Sequence, residues 1–266
     1  MNKTPISDLD YSLPLESIAQ EPYKDPENSK LLVAETKEIY KFLNIDNILD
    51  SKSLLIFNSS QVIDVRIKTH KLETKGAVEI FILKILSETS ATCLVKYRGK
   101  KILNKEILLK NFNITLISKS SDHFNVEFSL PVLDIIKNFG TTPLPPYIID
   151  ESYKHKFYKN FFSNKGFSSA SSTAGLHFTP NIFNKLTDKG IEIHYLNLDI
   201  GLGTFKPINT SFVEDFNIHS ENFEIQEDVY SNIIKKKKDG YKIYCVGTTT
   251  LRTLEYVYLN SIFKGT

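Results

Sequence analysis

The 266-residue chain predicts an α/β body interrupted by an inserted all-β barrel. Two observations carry that expectation. From about Asp64 to Ser129, short β-prone runs follow one another with only turn-like breaks, the texture of a small barrel or sandwich. After the proline-rich "FGTTPLPPYI" (139–148), helical and strand-like stretches alternate instead, as in α/β proteins. The expected boundaries are residues 1–63 and 149–266 for a discontinuous body and 64–148 for the insertion.

Taken in order, residues 1–63 mix turn-rich segments with a short helix expected around "TKEIYKFLNI" and a strand "SLLIFN" at 53–58. The β-prone runs are "VEIFILKIL", "TCLVKY", "KEILLK", "NITLIS" and "HFNVEFSL", broken by "RGKK", "KNFN" and "SKSSD". In the last run Phe124, Val126, Phe128 and Leu130 alternate with Asn125, Glu127 and Ser129, the period of a half-buried strand. The prolines of 139–148 then forbid a continuing helix or central strand. Thr179 suits an N-cap and Pro180 a first helical turn, and the helix "NIFNKLTDK" should stop at Gly190. A strand "IEIHYLNLDI" runs into Gly201-Leu202-Gly203-Thr204. The helix "EDVYSNIIKKKKDG" ends at Gly240, and the strand "YKIYCV" leads through "GTTT" into a last helix beginning near Leu251. Neither a solenoid-type repeat nor a low-complexity tract is present.

Composition bounds the rest. Hydrophobic residues make up 41% and charged ones 24%, ordinary for a globular protein and too apolar for disorder. A net charge of +2 selects no partner, so a basic face must come from local clustering. Cys93 and Cys245 show no metal-ligand spacing, which favours a reduced, intracellular chain. The N-terminus has no secretory pattern, and no run approaches the ~18 apolar residues of a membrane span. A cytoplasmic protein is expected.

Three glycine/threonine turns recur at the ends of apolar runs. "SSTAGLHFTP" carries Thr173, Gly175 and His177; "LDIGLGTF" carries Gly201, Gly203 and Thr204; "VGTTTLRTLE" carries Gly247, Thr248, Thr249 and Arg252. Loops leaving strand ends in α/β sheets gather ligands, and glycine lets the backbone approach them. Each turn alone reads better as an ordinary connection; the three together, with His177, read as well as one small-ligand site as they do as ordinary turns. "EDFNIHSENFEI" places His219, Ser220 and Glu221 together with Asp215 upstream, a pattern that could transfer protons but that by itself reads first as a solvated surface turn. No GxSxG elbow and no zinc frame occurs. "KKKK" at 235–238 suits the end of a helix better than an RNA contact. In "KYRGKK", Lys96, Arg98, Lys100 and Lys101 surround an aromatic residue and form the better phosphate-contact patch.

"DLDYSLPLESIAQEP", "SKLLV", "LLIFNSSQVIDVRI", "KGAVEIFIL", "PLPPYI", "STAGLHF", "GLGTFKPI", "DFNIHSE" and "VGTTTLRTLE" together resemble the S-adenosylmethionine:tRNA ribosyltransferase-isomerases of queuosine biosynthesis. The resemblance spans nearly the whole chain. It implies an α/β body with an inserted β-barrel and a reaction on tRNA. The ribosyl part of S-adenosylmethionine would be transferred to the aminomethyl-deazaguanine wobble base and isomerised to epoxyqueuosine, with adenine and methionine released. S-adenosylmethionine is then a consumed substrate, and neither cofactor nor metal is expected. The resemblance makes His177, His219 and Glu221 the catalytic residues, the histidines moving protons and Glu221 orienting one of them or facing the sulfonium. Thr173, Gly175, Gly201, Gly203, Thr204, Ser220, Gly247, Thr248, Thr249 and Arg252 would bind substrate, with Arg252 on a tRNA phosphate or the methionine carboxylate.

Departures from the family pattern are Gln61 for arginine, Asp64 and Ser172 for prolines, and Asp199 and Phe216 for histidines. The family's "TNFHLPxSTL" segment has no counterpart before Thr266, so the body is expected to be C-terminally incomplete. Three readings follow: the transferase itself, whole or completed by a separate C-terminal fragment; a relative that binds tRNA or an adenosyl ligand without turnover; and another enzyme on the same scaffold. Expected partners are S-adenosylmethionine and a tRNA with a deazaguanine wobble base, with no membrane and a monomeric state.

Overall fold

The computed structural model describes residues 3–120, 123–149, 157–201, 203, 208, 210–216 and 220–266. They form two compact units: Met1–Val62 with Leu144–Thr266, and Ile63–Pro143. Along the chain the first unit opens with β1 (Lys30–Val33), β2 (Glu38–Lys41), α1 (Ile45–Ile48), β3 (Ser53–Asn58) and β4 (Ser60–Val62). The second holds β5 (Arg66–His70), β6 (Ala77–Ile85), β7 (Ser90–Tyr97), β8 (Glu106–Leu108), β9 (Asn113–Ser120), β10 (His123–Phe128), α2 (Val132–Phe139) and β11 (Gly140–Thr141). The first unit then resumes with β12 (Lys165–Ser168), α3 (Pro180–Asp188), β13 (Glu192–Leu198), β14 (Phe223–Glu224), α4 (Glu227–Lys238), β15 (Lys242–Val246), α5 (Thr248–Asn260) and β16 (Lys264–Gly265).

The first unit is built on a sheet of order β15-β3-β13-β14-β16, in which β15, β3 and β13 are parallel. Every residue of β3 is buried, because both faces of this strand are covered. Leu55 and Phe57 point to a cluster with Phe178, Ile182, Leu186 and Val246. Leu54 and Ile56 point to the opposite cluster, with Leu196, Leu198, Ile233 and Val257. Phe57 anchors the first cluster, with its ring centroid 4.8 Å from Phe178 and 5.1 Å from Phe162. Full burial of a side chain of this size contributes about 1.5–3 kcal/mol. Helix α3 starts as its sequence predicts: Thr179 accepts from the Ile182 N–H, Pro180 follows, and Gly190 takes φ 78°.

Two expectations fail locally. The helix around "TKEIYKFLNI" is replaced by a β1–β2 hairpin, Lys30 opposite Lys41 and Val33 opposite Glu38, with the α-helical turn delayed to Ile45–Ile48. Pairing with Lys30–Val33 satisfies the backbone of Ile39 and Tyr40, two residues that suit strands, so long-range pairing overrides the local helical pattern. The last helix starts at Thr248 rather than near Leu251, because Gly247, at φ 88° and ψ 157°, turns the chain straight out of β15 into the first helical residue.

The second unit is a seven-stranded sheet of order β11-β5-β6-β7-β10-β9-β8, antiparallel throughout. Val78, Ile80, Ile82, Cys93, Val126 and Leu116 lie on its buried face, at the alternate positions that a pleated strand requires. Phe124, Val126 and Phe128 point inward as expected, whereas Leu130 is 40% exposed, because β10 ends at Phe128. Helix α2, which the strand-rich sequence texture conceals, buries Val132, Ile135 and Ile136. An isolated antiparallel bridge joins Lys71 to Leu109. Beside it the Leu72 N–H donates to the Leu108 carbonyl at 2.9 Å and the Lys110 N–H to the His70 carbonyl at 3.1 Å. Among the described residues no helix is long and apolar enough to cross a membrane.

Candidate active site

The parallel strands β3, β13 and β15 end together, at Asn58, Leu198 and Val246. Asn58 fixes this edge: its Nδ2 donates to the Leu198 carbonyl at 2.9 Å, and its Oδ1 accepts from the N–H groups of Leu198 and Ser60, each at 3.0 Å. Beside the edge lies a cavity of about 980 Å³, lined by Ser172, Thr173, Glu221, Thr248, Thr249 and Arg252 among others. It is the kind of place where an open α/β sheet binds ligands.

Glu221 is the best-defined polar group in it. Its Oε1 accepts the Gly201 N–H at 2.9 Å, its Oε2 accepts from Arg252 Nη1 at 2.5 Å, and its side chain is only 10% exposed. Gly247, also in the lining, takes φ 88° and ψ 157°, a conformation open essentially to glycine alone. A Cβ there would stand 3.2 Å from Ser172 Oγ, which itself lies 3.4 Å from Thr249 Oγ1. The α5 N-terminus, starting at Thr248, therefore opens directly into the cavity with its first N–H groups free of intrahelical partners.

Behind Gly201 the β13 end is held by Asp199. Its Oδ1 accepts from Ser60 Oγ at 2.8 Å, from the Phe167 N–H at 2.9 Å and from Asn197 Nδ2 at 3.1 Å. Ser168 bonds Ser60 at 2.6 Å and accepts the Ile200 N–H at 2.9 Å. Gly166, at φ 84°, makes room: a Cβ there would fall 2.2 Å from Asp199 Oδ1.

The structure separates the predicted residues into groups. Thr173, Glu221, Gly247, Thr248, Thr249 and Arg252 line the 980 Å³ cavity, and Gly201 touches it through Glu221. Gly203 is half-buried next to Gly201, and Ser220 is exposed beside Glu221. Gly175 and His177 lie instead on a second cavity, of about 480 Å³. His177 Nδ1 is 3.4 Å from the Pro26 carbonyl, and its ring sits 5.4 Å from Phe42. The two cavities share the segment 171–177, held by Asn160, whose Nδ2 donates to the Ser172 carbonyl at 3.1 Å. Thr204 and His219 lie outside the described residues.

Lys96, Arg98, Lys100 and Lys101 are all exposed and lie at and just after the end of β7 in the other unit. Sequence reasoning missed Asn160 and Tyr158. Tyr158 is buried on the cavity wall, and burial pushes its hydroxyl up to about 12, so it remains a neutral donor at every physiological pH. Among the described residues, no three His, Cys, Asp or Glu side chains gather to hold a metal ion.

These features define a protein with a polar ligand site at the carboxyl edge of a parallel sheet. Comparison with known proteins then identifies the family. The model of a family described as queuosine biosynthesis protein matches residues 6–265. An S-adenosylmethionine:tRNA ribosyltransferase-isomerase of Fusobacterium nucleatum is 37% identical over 264 residues, covering 95% of this chain and 74% of that protein. The enzyme of the same name from Finegoldia magna is 34% identical over 265 residues, covering 97% and 76%. A crystal structure of an S-adenosylmethionine tRNA ribosyltransferase from Thermotoga maritima aligns with TM-score 0.42 at 25% identity, covering 94% of this chain and 72% of that one. The chain belongs to the S-adenosylmethionine:tRNA ribosyltransferase-isomerase family of queuosine biosynthesis proteins.

Proposed function

We propose that this protein transfers and isomerises the ribosyl moiety of S-adenosylmethionine onto the aminomethyl-deazaguanine wobble base of tRNA. Epoxyqueuosine is the product, and adenine and methionine leave. The observation that carries this reading is Glu221, a nearly buried carboxylate held by Gly201 and Arg252 on a cavity large enough for an adenosyl ligand. Its charge suits a sulfonium, whose adjacent carbon must lose a proton. Arg252 and the α5 N-terminus suit the methionine carboxylate. Gly201, Gly203, Gly247, Thr173, Thr248 and Thr249 supply close backbone and hydroxyl contacts to the ribosyl part.

His177 and His219 are assigned proton transfer, His177 from the second cavity, where it serves the acceptor base rather than the donor. Tyr158 adds a neutral hydroxyl on the donor side. Lys96, Arg98, Lys100 and Lys101 are assigned to RNA. The antiparallel sheet is read as a closed barrel, supported by the Lys71–Leu109 bridge between the ends that would meet. A monomeric, cytoplasmic enzyme completes the reading.

The test is a tRNA carrying the precursor base, incubated with the protein and S-adenosylmethionine, with adenine followed by chromatography. Adenine release that depends on this tRNA supports the proposal. Binding of S-adenosylmethionine with no adenine release would replace it by the reading of a relative that binds without turnover.

A further inference from the structure

The net charge of +2 is unevenly divided. Ile63–Pro143 contains 13 Lys and Arg against 8 Asp and Glu, so the smaller unit carries +5 while the rest of the chain carries −3. Within that unit lies a groove of about 410 Å³ beside the Lys71–Leu109 bridge, lined by Lys71, Lys100, Lys105, Tyr97, Glu73 and Glu106 among others. One of the two carboxylates is engaged, Glu106 Oε1 accepting from Asn113 Nδ2 at 3.0 Å.

Tyr97 organises the cations. Lys71 Nζ sits over its ring at 4.0 Å from the centroid and Lys101 Nζ at 5.1 Å, while its hydroxyl donates to the Lys100 carbonyl at 3.2 Å. A ring already engaged by ammonium groups offers little face for a base to stack on; it holds lysines in place instead. Lys96 does not belong to this set. It alternates with Tyr97 along β7, and its Nζ is 3.9 Å from Glu79 Oε2.

We propose that this groove binds the sugar–phosphate backbone of tRNA through Lys71, Lys100, Lys101 and Lys105, with Tyr97 as the scaffold for the first three. The inference rests on tRNA being the substrate, and it names where and how the RNA is held. Contacts of this kind are made to phosphate and carry no base identity.

The probe is an unmodified tRNA transcript, whose binding needs no chemistry, measured by fluorescence anisotropy across a salt series. Replacing Lys71, Lys100 and Lys105 together by Ala should weaken binding at least about tenfold and lower the slope of log affinity against log salt by roughly 2–3. The loss should be alike for tRNAs of different sequence. Replacing Lys84, Lys119 and Lys137 by Ala removes the same charge elsewhere in the unit and should change affinity much less. Thermal melts of both triple variants check the fold.

Equal losses in the two triple variants, or an unchanged salt slope in the groove variant, would overturn the groove while leaving the function reading intact. A loss on Tyr97→Leu that exceeds the groove variant's and leaves the slope untouched would show base stacking and overturn the phosphate assignment. No tRNA binding by the unaltered protein would overturn the groove and the function reading together.

Discussion

Glu221 and Arg252 meet at 2.5 Å, although one side chain is 10% exposed and the other 50%. The pair thus spans the cavity wall, with the carboxylate on the protein side and the guanidinium toward solvent. The Gly201 N–H, 2.9 Å from the other carboxylate oxygen, leaves Glu221 with both oxygens engaged and a fixed direction. A charge held in this way acts on a developing or permanent cation without reorganising. Glu221→Gln should therefore lower kcat/KM for adenine release by roughly 10²- to 10³-fold. Arg252→Ala, which leaves the carboxylate present but partly unpaired, should cost roughly 10- to 100-fold. Steady-state adenine release checks both, and a Glu221→Gln variant within about threefold of the parent would remove Glu221 from the chemistry.

Gly201 and Gly247 look equivalent in the sequence, each following a strand and leading into a loop. The structure distinguishes them. A Cβ on Gly201 meets nothing nearer than 3.9 Å, whereas Gly247 has φ 88° and only 3.2 Å to Ser172 Oγ. Gly247→Ala should destabilise the protein by about 1–3 kcal/mol through backbone strain. That corresponds to a fall in Tm of roughly 2–10 °C for a chain of this size. Gly201→Ala should stay within about 0.5 kcal/mol of the parent. Differential scanning calorimetry on both variants decides the point: equal effects would mean that the backbone at Gly247 is not constrained.

That contrast also marks what was legible beforehand. Where local chemistry decides, the sequence sufficed: the Thr179 cap, Pro180, the Gly190 stop and the Phe124–Val126–Phe128 alternation all lie within a few residues of the feature they predict. The strand at 53–58 is equally plain, because Leu54, Leu55, Ile56 and Phe57, buried on both faces, form an unbroken apolar run. Ile39 and Tyr40 were misread because their partner strand is supplied from Lys30–Val33, outside the helical window. At the site, the motifs mark Glu221 and Arg252 and the family resemblance gives them roles, but their pairing across 31 positions is not visible. Nor was the separation of His177 from Glu221, since only the path of residues 171–177 places them on different cavities. Asn160 and Tyr158 carry no local signal at all.

The cluster between β13 and α4 predicts a pH dependence. Glu192 is held below the usual carboxylate range, first by the hydrogen bond and ion pair from Lys236 and further by Asn232 and His194. A carboxylate with a lowered folded pKa binds fewer protons folded than unfolded. Its contribution is therefore complete above the ordinary glutamate value of 4.5 and fades as pH falls through the lowered folded value. Glu192→Gln should lower Tm at neutral pH, and the gap from the parent should close on acidification below about 4.5. A gap that persists unchanged at acid pH would show that the variant acts through packing and not through charge.

Asp199 stands where the family pattern has a histidine, and its surroundings explain how an aspartate serves there. One oxygen accepts three donors, from Ser60, Phe167 and Asn197, and Gly166 withholds the side chain that would collide with it. A single sp² oxygen can take such a set, and an imidazole nitrogen cannot. The carbonyl of an asparagine can do so as well, with less charge behind it. Asp199→Ala strands the Phe167 N–H and the Asn197 side-chain amide, which hold the β12 and β13 ends together, while Ser60 keeps Ser168 as a partner. Leaving partly buried donors unpaired costs about 1–3 kcal/mol for each group that finds no water, so a total of roughly 2–4 kcal/mol is expected. Asp199→Asn should lose less than half of that, and Asp199→His should resemble the alanine variant. Because the same loop presents the Gly201 N–H to Glu221, adenine release should fall in the same order: parent, then asparagine, then alanine and histidine. Thermal melts and steady-state kinetics on the three variants test the two series together. Full stability in Asp199→His would show that the three donors do not need this oxygen and that Asp199 does not hold the β13 end.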